Sequence, residues 1–262
     1  MLKLPDVTLV LIETRMHEMA LEALAECERR VAFGDVLVFT DRPAMFIRAD
    51  RRVNAVPDWP SKLGWSRWFW SGVSPFMTTS HALGIQWDSW VVDTTQWTDE
   101  YLRYDYVGAP WWYKDGMNVG NGGFCLRSAA LMRYLRANLA DYPCTVDLDD
   151  DLLCRKYRPR LESAGFRWAP EDLAGRFAFE TLRPAPDSKH FGFHAAYNFD
   201  FGCEGDSEKL LAKARHLAKS QYATGSNRYI WEGFAKKCPD IAARVREAFD
   251  GRESEVSAPG GS

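Results

Sequence analysis

The chain has 262 residues, of which 46% are hydrophobic and 26% charged, a size and balance that suit one large globular domain. A formal net charge of −3 argues against a surface devoted to nucleic acid, which carries a strong basic excess. No run of about 18 apolar residues is present to span a membrane, and six cysteines (Cys27, Cys125, Cys144, Cys154, Cys203, Cys238) without a CxxC pair argue against a zinc site or a disulfide framework.

Val7–Ile12 is a continuous apolar, β-branched run and predicts a central strand, ending in Glu13-Thr14-Arg15. Met16–Arg30 follows with Met19, Ala20, Ala23, Leu24 and Cys27 at helical spacing; Gly34 is expected to close that helix before a strand at Val36–Phe39, which ends at Thr40-Asp41. A β-α-β start predicts a parallel sheet with a right-handed crossover. The glycine fingerprint of dinucleotide enzymes is missing from the first turn, which argues against a Rossmann dehydrogenase. Val53–Val56 reads as a short strand and Ser61–Ser71 as an aromatic helix.

His81–Asp93 is the stretch around which the rest is organised. An apolar run, Ala82–Ile85, meets Gln86-Trp87-Asp88 before a second short run that ends at Asp93. In an open α/β sheet, ligands bind at the carboxyl ends of the strands. Asp88 is therefore either a turn cap or a carboxylate placed for chemistry.

Trp97–Tyr104 predicts a short helix and Tyr106–Ala109 a strand stopped by Pro110. Pro110–Gly123 is rich in aromatics, glycine and asparagine, a composition that lets backbone amides approach a ligand. Phe124–Arg127 reads as a strand, with Ser128 capping a helix to about Leu139. The acidic Asp147–Asp151 precedes a helical Leu152–Ser163 and is at minimum a charged N-terminal cap. Strands are expected at Phe166–Ala169 and His190–His194, and helices at Asp206–Lys219 and Tyr229–Phe249. The expected organisation is an α/β domain over 1–205, a helical extension over 206–250 packed on it and a disordered tail over 251–262. The N-terminus enters a strand without the basic start and apolar core of a signal peptide, so a cytoplasmic protein is expected. Of eleven tryptophans, most should fill the core, leaving a minority for a sugar-binding platform.

Four elements occur in one order: Gln86-Trp87-Asp88 after a strand, Val119-Gly120-Asn121-Gly122-Gly123-Phe124, Asp149-Asp150-Asp151, and Phe191-Gly192-Phe193-His194. Together they resemble a family of uncharacterised candidate glycosyltransferase domains of GT-A architecture, over roughly residues 5–200. The resemblance implies an α/β fold with a Rossmann-like, mainly parallel central sheet flanked by helices, followed by C-terminal helices. It implies a nucleotide-sugar donor, a UDP-sugar first, and a glycan or glycoconjugate acceptor.

By the same resemblance Gln86-Trp87-Asp88 stands in the DxD place, with Asp88 as the retained carboxylate and Gln86 free to bind ribose or base. Asp88 and His194 would hold a divalent cation, Mn²⁺ or Mg²⁺, though His194 also reads as a satisfied core histidine. Thr14, Arg15, Asp41, Gln86, Trp87, Asp88, Asn121, Gly122 and Gly123 would line the nucleotide-sugar, Arg15 being otherwise a surface residue. Trp111 and Trp112 would stack on the acceptor. In an inverting transfer a carboxylate deprotonates the acceptor hydroxyl. Asp150 is the expected base, with Asp149 and Asp151 beside it. The rival readings are a binding module of the same fold without catalysis, and a two-metal phosphate enzyme. The last helices could serve a homodimer, the acceptor site or a partner.

Overall fold

The structure is a computed structural model that describes residues 1–59, 62–146, 149–181, 185, 187–220 and 228–246. Expectations for Ser61, for Asp147 at the head of the acidic cluster, for the end of the last helix at Phe249 and for the tail lie outside those residues. Two compact units are present, Met1–His194 and Ala195–Ser262.

Seven consecutive buried residues, Val7 to Glu13, make β1 (Leu2–Glu13) an interior strand covered on both faces, as its unbroken apolar run requires. α1 (His17–Arg30) turns Met19, Ala20, Ala23, Leu24 and Cys27 inward and returns the chain to β2 (Val31–Thr40), parallel to β1. β3 (Arg52–Ala55) adds on the outside of β2, also parallel. α2 (Lys62–Arg67) widens into a π-helical turn at Trp68–Gly72, and β4 (His81–Ile85) pairs parallel with the other side of β1. β5 (Tyr106–Gly108) and β6 (Phe124–Ser128) complete a six-stranded sheet ordered β3-β2-β1-β4-β6-β5, in which β6 runs antiparallel to both neighbours. This is the mixed α/β, mainly parallel sheet flanked by helices that was expected, with one strand reversed.

Ser128 caps α3 (Ala129–Ala137) by accepting from the Leu131 N–H. Beyond it come α4 (Asp149–Asp151), a π-helical turn at Leu152–Lys156, α5 (Arg158–Ser163) and α6 (Glu171–Phe177). α6 leads into β7 (Ala178–Phe179), which pairs parallel with β8 (Gly192–Phe193) in a small second sheet. The second unit holds α7 (Phe199–Gly202), α8 (Ser207–Lys219) and α9 (Arg228–Lys237). Asp206 caps α8 through the Glu208 and Lys209 N–H groups, and within this unit Lys237 donates to Asn198.

Several boundaries differ from the sequence reading. Gly34 does not end the helix; α1 stops at Arg30 and Gly34 lies inside β2, where a Cβ would sit 2.0 Å from the Pro5 carbonyl oxygen. The glycine is there for close strand approach, beside the irregular register between Leu4 and Thr8. Trp97–Tyr104 holds a 3₁₀ turn at Asp99–Arg103 rather than an α-helix. Phe166–Ala169 forms only a single bridge, Tyr106 to Trp168. The last helix breaks at Cys238, because Pro239 lacks an N–H and clashes with the preceding turn; helix resumes over 239–246. Among the described residues no helix is long and apolar enough to cross a membrane. All six cysteines are free and buried.

Candidate active site

Strand direction and register decide which loops share an edge. β1, β2 and β4 run parallel, so Glu13-Thr14-Arg15, Asp41 and Gln86-Trp87-Asp88 all emerge at the carboxyl edge of the sheet. β6 runs the other way with Phe124 opposite Ile85, which brings Gly120–Gly123 to the same edge from its amino end. The Ser89 hydroxyl locks the two loops together by donating to the Gly123 carbonyl at 2.7 Å.

Asn121 shapes the glycine loop. It adopts φ 65°, a left-handed conformation that asparagine tolerates best among side chains with a Cβ, and its Oδ1 accepts from the Gly123 and Phe124 N–H groups. The adjacent Gly122 N–H donates to Asp150 Oδ2 at 2.8 Å, which fixes the acidic helix start to this loop. Asp149 has a different partner. Buried, it accepts from Arg127 Nη2 at 2.8 Å, and the guanidinium in turn lies 4.0 Å from the Phe69 ring centroid. The Arg127–Asp149 pair therefore anchors the segment, and Asp150 is the carboxylate presented at the loop. Asp151 is exposed.

His194 closes the arrangement. Phe179 and Phe193 are register partners in β7 and β8, so the next residues, Glu180 and His194, emerge side by side. Their contact, Nδ1 to Oε1, is 3.0 Å, and Asn121 Nδ2 lies 3.1 Å from the same ring nitrogen. His194 Nε2 is 3.5 Å from Asp88 Oδ1, an ion-pair distance too long for a strong hydrogen bond. Asp88 Oδ1 is thus a buried carboxylate oxygen without a hydrogen-bond donor. No side chain fits at position 123, where a Cβ would lie 2.0 Å from Nε2 of His194.

The electrostatics follow from this crowding. Burial opposes protonation of His194, but Asp88 and Glu180 outweigh it and raise its pKa to about 10. Burial likewise opposes ionisation of Glu180, yet the His194 hydrogen bond and charge leave its pKa below the ordinary carboxylate value. Asp150 goes the other way: burial, then the Asp149 charge, raise its pKa, with Lys62 and the Gly122 N–H pulling against them. Glu13 is raised by burial although it accepts from the Arg15 and Met16 N–H groups.

The structure thus joins Asp88, His194, Asn121, Gly122, Gly123 and Asp150 in one chain of contacts, with Asp149 behind it. Gln86 reaches that chain through Ser89, whose hydroxyl accepts from the Gln86 N–H at 2.9 Å and donates to the Gly123 carbonyl. Arg15 is exposed and donates to the Trp59 carbonyl at 3.2 Å. Thr14 is half-buried, and Asp41 accepts from or pairs with His17 Nε2 at 2.6 Å. Gln86 is half-buried and Trp87 buried. Trp111 is packed against Gly120, where a Cβ would fall 2.1 Å from its ring, whereas Trp112 is 57% exposed and tilted against Tyr113. Among the described residues, no group of three or more His, Cys, Asp or Glu side chains is arranged to hold a metal ion by itself.

Glu180 and Arg127 were missed from the sequence. Glu180 ends the apolar run Phe177–Phe179 in the way Asp88 follows Ile85, and that signal was there to be read. Arg127 is a charge inside a buried strand, which requires a partner of opposite sign.

Among solved structures, the chain is similar to the apo-form glycosyltransferase GlyE of Streptococcus pneumoniae TIGR4, with a TM-score of 0.45 and 13% identity. The match covers 94% of this chain and 64% of that one, so the chain spans under two thirds of its length. No curated protein matches. The sequence model of the family described as "Protein of unknown function (DUF5672)" matches residues 54–194. That span is more than half of the chain and contains Asp88, the glycine loop, Asp149–Asp151, Glu180 and His194, and the protein belongs to this family.

Proposed function

We propose that the protein is a metal-dependent glycosyltransferase that moves a sugar from a nucleotide-sugar, a UDP-sugar first, to a hydroxyl of a glycan or glycoconjugate, with inversion. The observation that carries this reading is a chain of contacts that links two carboxylates through one loop system. Asp88 lies at the end of the central strand beside His194, and Asp150, with its raised pKa, is hydrogen-bonded to Gly122.

The residues fit a divalent cation. Asp88 Oδ1 is buried with no hydrogen-bond donor, and His194 Nε2 faces it while Nδ1 is engaged by Glu180. Asp88 and His194 would hold Mn²⁺ or Mg²⁺, with phosphate oxygens and water completing the shell, and the ion would neutralise charge developing on the diphosphate leaving group. Asp150 takes the proton of the acceptor hydroxyl as that oxygen bonds to the anomeric carbon and the bond to the diphosphate breaks. Asp149, held by Arg127, positions Asp150 and supports its basicity by like-charge repulsion. Asn121, Gly122 and Gly123 lie against the donor sugar. Trp112 is the indole exposed for an acceptor ring, and Trp111 supports the loop from behind.

A thermal-shift screen of nucleotide-sugars with Mn²⁺ tests the donor, because a ligand of the native state raises its melting temperature by mass action. Asp150→Asn should keep that shift and lose transfer; Asp88→Ala should lose the metal-dependent part of the shift. A nucleotide shift unaffected by Asp88→Ala would refute the site. Gln86 in the DxD place favours one alternative, a nucleotide-sugar-binding module without turnover, which predicts binding that Asp150→Asn leaves unchanged and no donor consumption.

A further inference from the structure

Two carboxylates reach the His194 ring, Asp88 at Nε2 and Glu180 at Nδ1. Asp88 is the carboxylate at the end of β4, where Gln86 is uncharged, and a lone carboxylate is a weak hold on a divalent cation. Glu180 arrives at the same place from 92 positions later in the chain, because β7 and β8 pair in register and put it next to His194. Its Oε1 lies 3.0 Å from Nδ1. A carboxylate can only accept, so Nδ1 carries the hydrogen and the lone pair of the neutral ring is on Nε2, facing Asp88 Oδ1. The Asn121 amide, whose orientation is fixed by Oδ1 accepting from Gly123 and Phe124, turns its NH₂ to the same corner, where the Glu180 carboxylate, not the hydrogen-bearing Nδ1, is the acceptor.

We propose that Glu180 is a positioning residue for His194: it fixes the imidazole with Nε2 toward Asp88 and supplies, through the ring, the negative charge that Gln86 does not. Carboxylate partners of metal-bound histidines act in this way, raising ligand basicity and setting ring orientation. The inference rests on the cation reading of the Asp88–His194 pair and extends it to a residue outside the four motifs. It also gives the small β7–β8 sheet a purpose, which is to deliver a carboxylate and an imidazole at matched register.

The test is Mn²⁺ affinity, read by the paramagnetic resonance of free Mn²⁺ in the presence of UDP, for the full chain and for Glu180→Gln, Glu180→Ala, His194→Ala and the Glu180→Ala/His194→Ala double variant. Thermal melting of each variant is recorded alongside. Glu180→Ala should weaken Mn²⁺ binding by about 10–100-fold. Glu180→Gln, which keeps an acceptor but not the charge, should fall between it and the parent. The double variant should bind no more weakly than His194→Ala alone, since the effect travels through the ring. A purely structural glutamate would lower affinity by the same factor whether or not His194 is present, and that result overturns the proposal, as does a Glu180→Ala variant that binds Mn²⁺ like the parent. Both leave the transferase reading intact. Absence of Mn²⁺ binding by the parent chain would instead overturn the metal-dependent reading and this inference together.

Discussion

Replacing Gly123 by alanine would place a methyl group where the His194 ring now lies. Its Cβ would be 2.0 Å from Nε2, 2.2 Å from Cδ2 and 2.4 Å from Cε1. Non-bonded heavy atoms settle near ~3.5 Å, so the ring would have to retreat by ~1.5 Å. Nδ1 is held at 3.0 Å by Glu180 and Nε2 sits 3.5 Å from Asp88, and a movement of that size breaks one contact or both. Overpacking of this kind costs ~1–3 kcal/mol, which for a chain of this size lowers the melting temperature by roughly 2–4 °C per kcal/mol. Function should suffer more than stability, because a misplacement of ~1 Å at a reacting centre costs on the order of 100-fold in rate. Calorimetry, a Mn²⁺ titration in the presence of UDP and a donor-consumption assay read stability, metal affinity and rate in turn. Gly122→Ala is the stability control, since its Cβ would meet Asp150 Cβ at 3.4 Å and Asp149 Oδ1 at 3.5 Å, ordinary contact distances. A Gly123→Ala protein that melts with the parent and binds Mn²⁺ equally well would refute the placement of His194.

Asp150 should show the opposite balance of stability and activity. Its carboxyl pKa is raised by burial and by Asp149, so ionisation is disfavoured in the folded state. The stability contribution of this group is complete below the unfolded pKa and is lost as pH rises through the folded one. Asp150→Asn should therefore be at least as stable as the parent at neutral pH in urea titrations, with the gap closing as pH falls. Transfer by the parent should rise with pH through a midpoint above the ordinary carboxylate range. Arg127→Met would leave Asp149 buried without its cation and should cost ~3–5 kcal/mol in denaturant titrations. Adding Asp149→Leu should restore much of that loss, because an apolar pair can replace a buried ion pair. Gly34→Ala, remote from the site, should lower stability by ~1–3 kcal/mol because a Cβ meets the Pro5 carbonyl oxygen at 2.0 Å.

The first half of the sheet was legible because its signals are local. Val7–Ile12, the spacing of Met19 to Cys27 and the run Val36–Phe39 each specify an element from residues a few positions apart. Ser128 as a helix cap was equally readable, since a cap bonds to an N–H group two or three residues on. Gly34 misled because a glycine after a helical pattern resembles a C-terminal stop, while its reason lies across the sheet at Pro5. β7 was missed because two residues carry no period, and their pairing with β8 is a long-range event.

The amino-acid sequence by itself determined an α/β chain with a central strand ending at Gln86-Trp87-Asp88, an asparagine-glycine loop and an acidic helix start. Which of these meet was decided by tertiary structure. The reversed direction of β6 carries the glycine loop to the end of β4, and the register of β7 with β8 sets Glu180 beside His194. Charge sorts the three adjacent aspartates just as indirectly. Asp149 is drawn into the interior by Arg127, Asp150 turns to the Gly122 N–H, and Asp151 remains in solvent. Nothing in three identical side chains distinguishes them; the partners that do so are 22 residues or more away in the chain and reach them only when the sheet has formed.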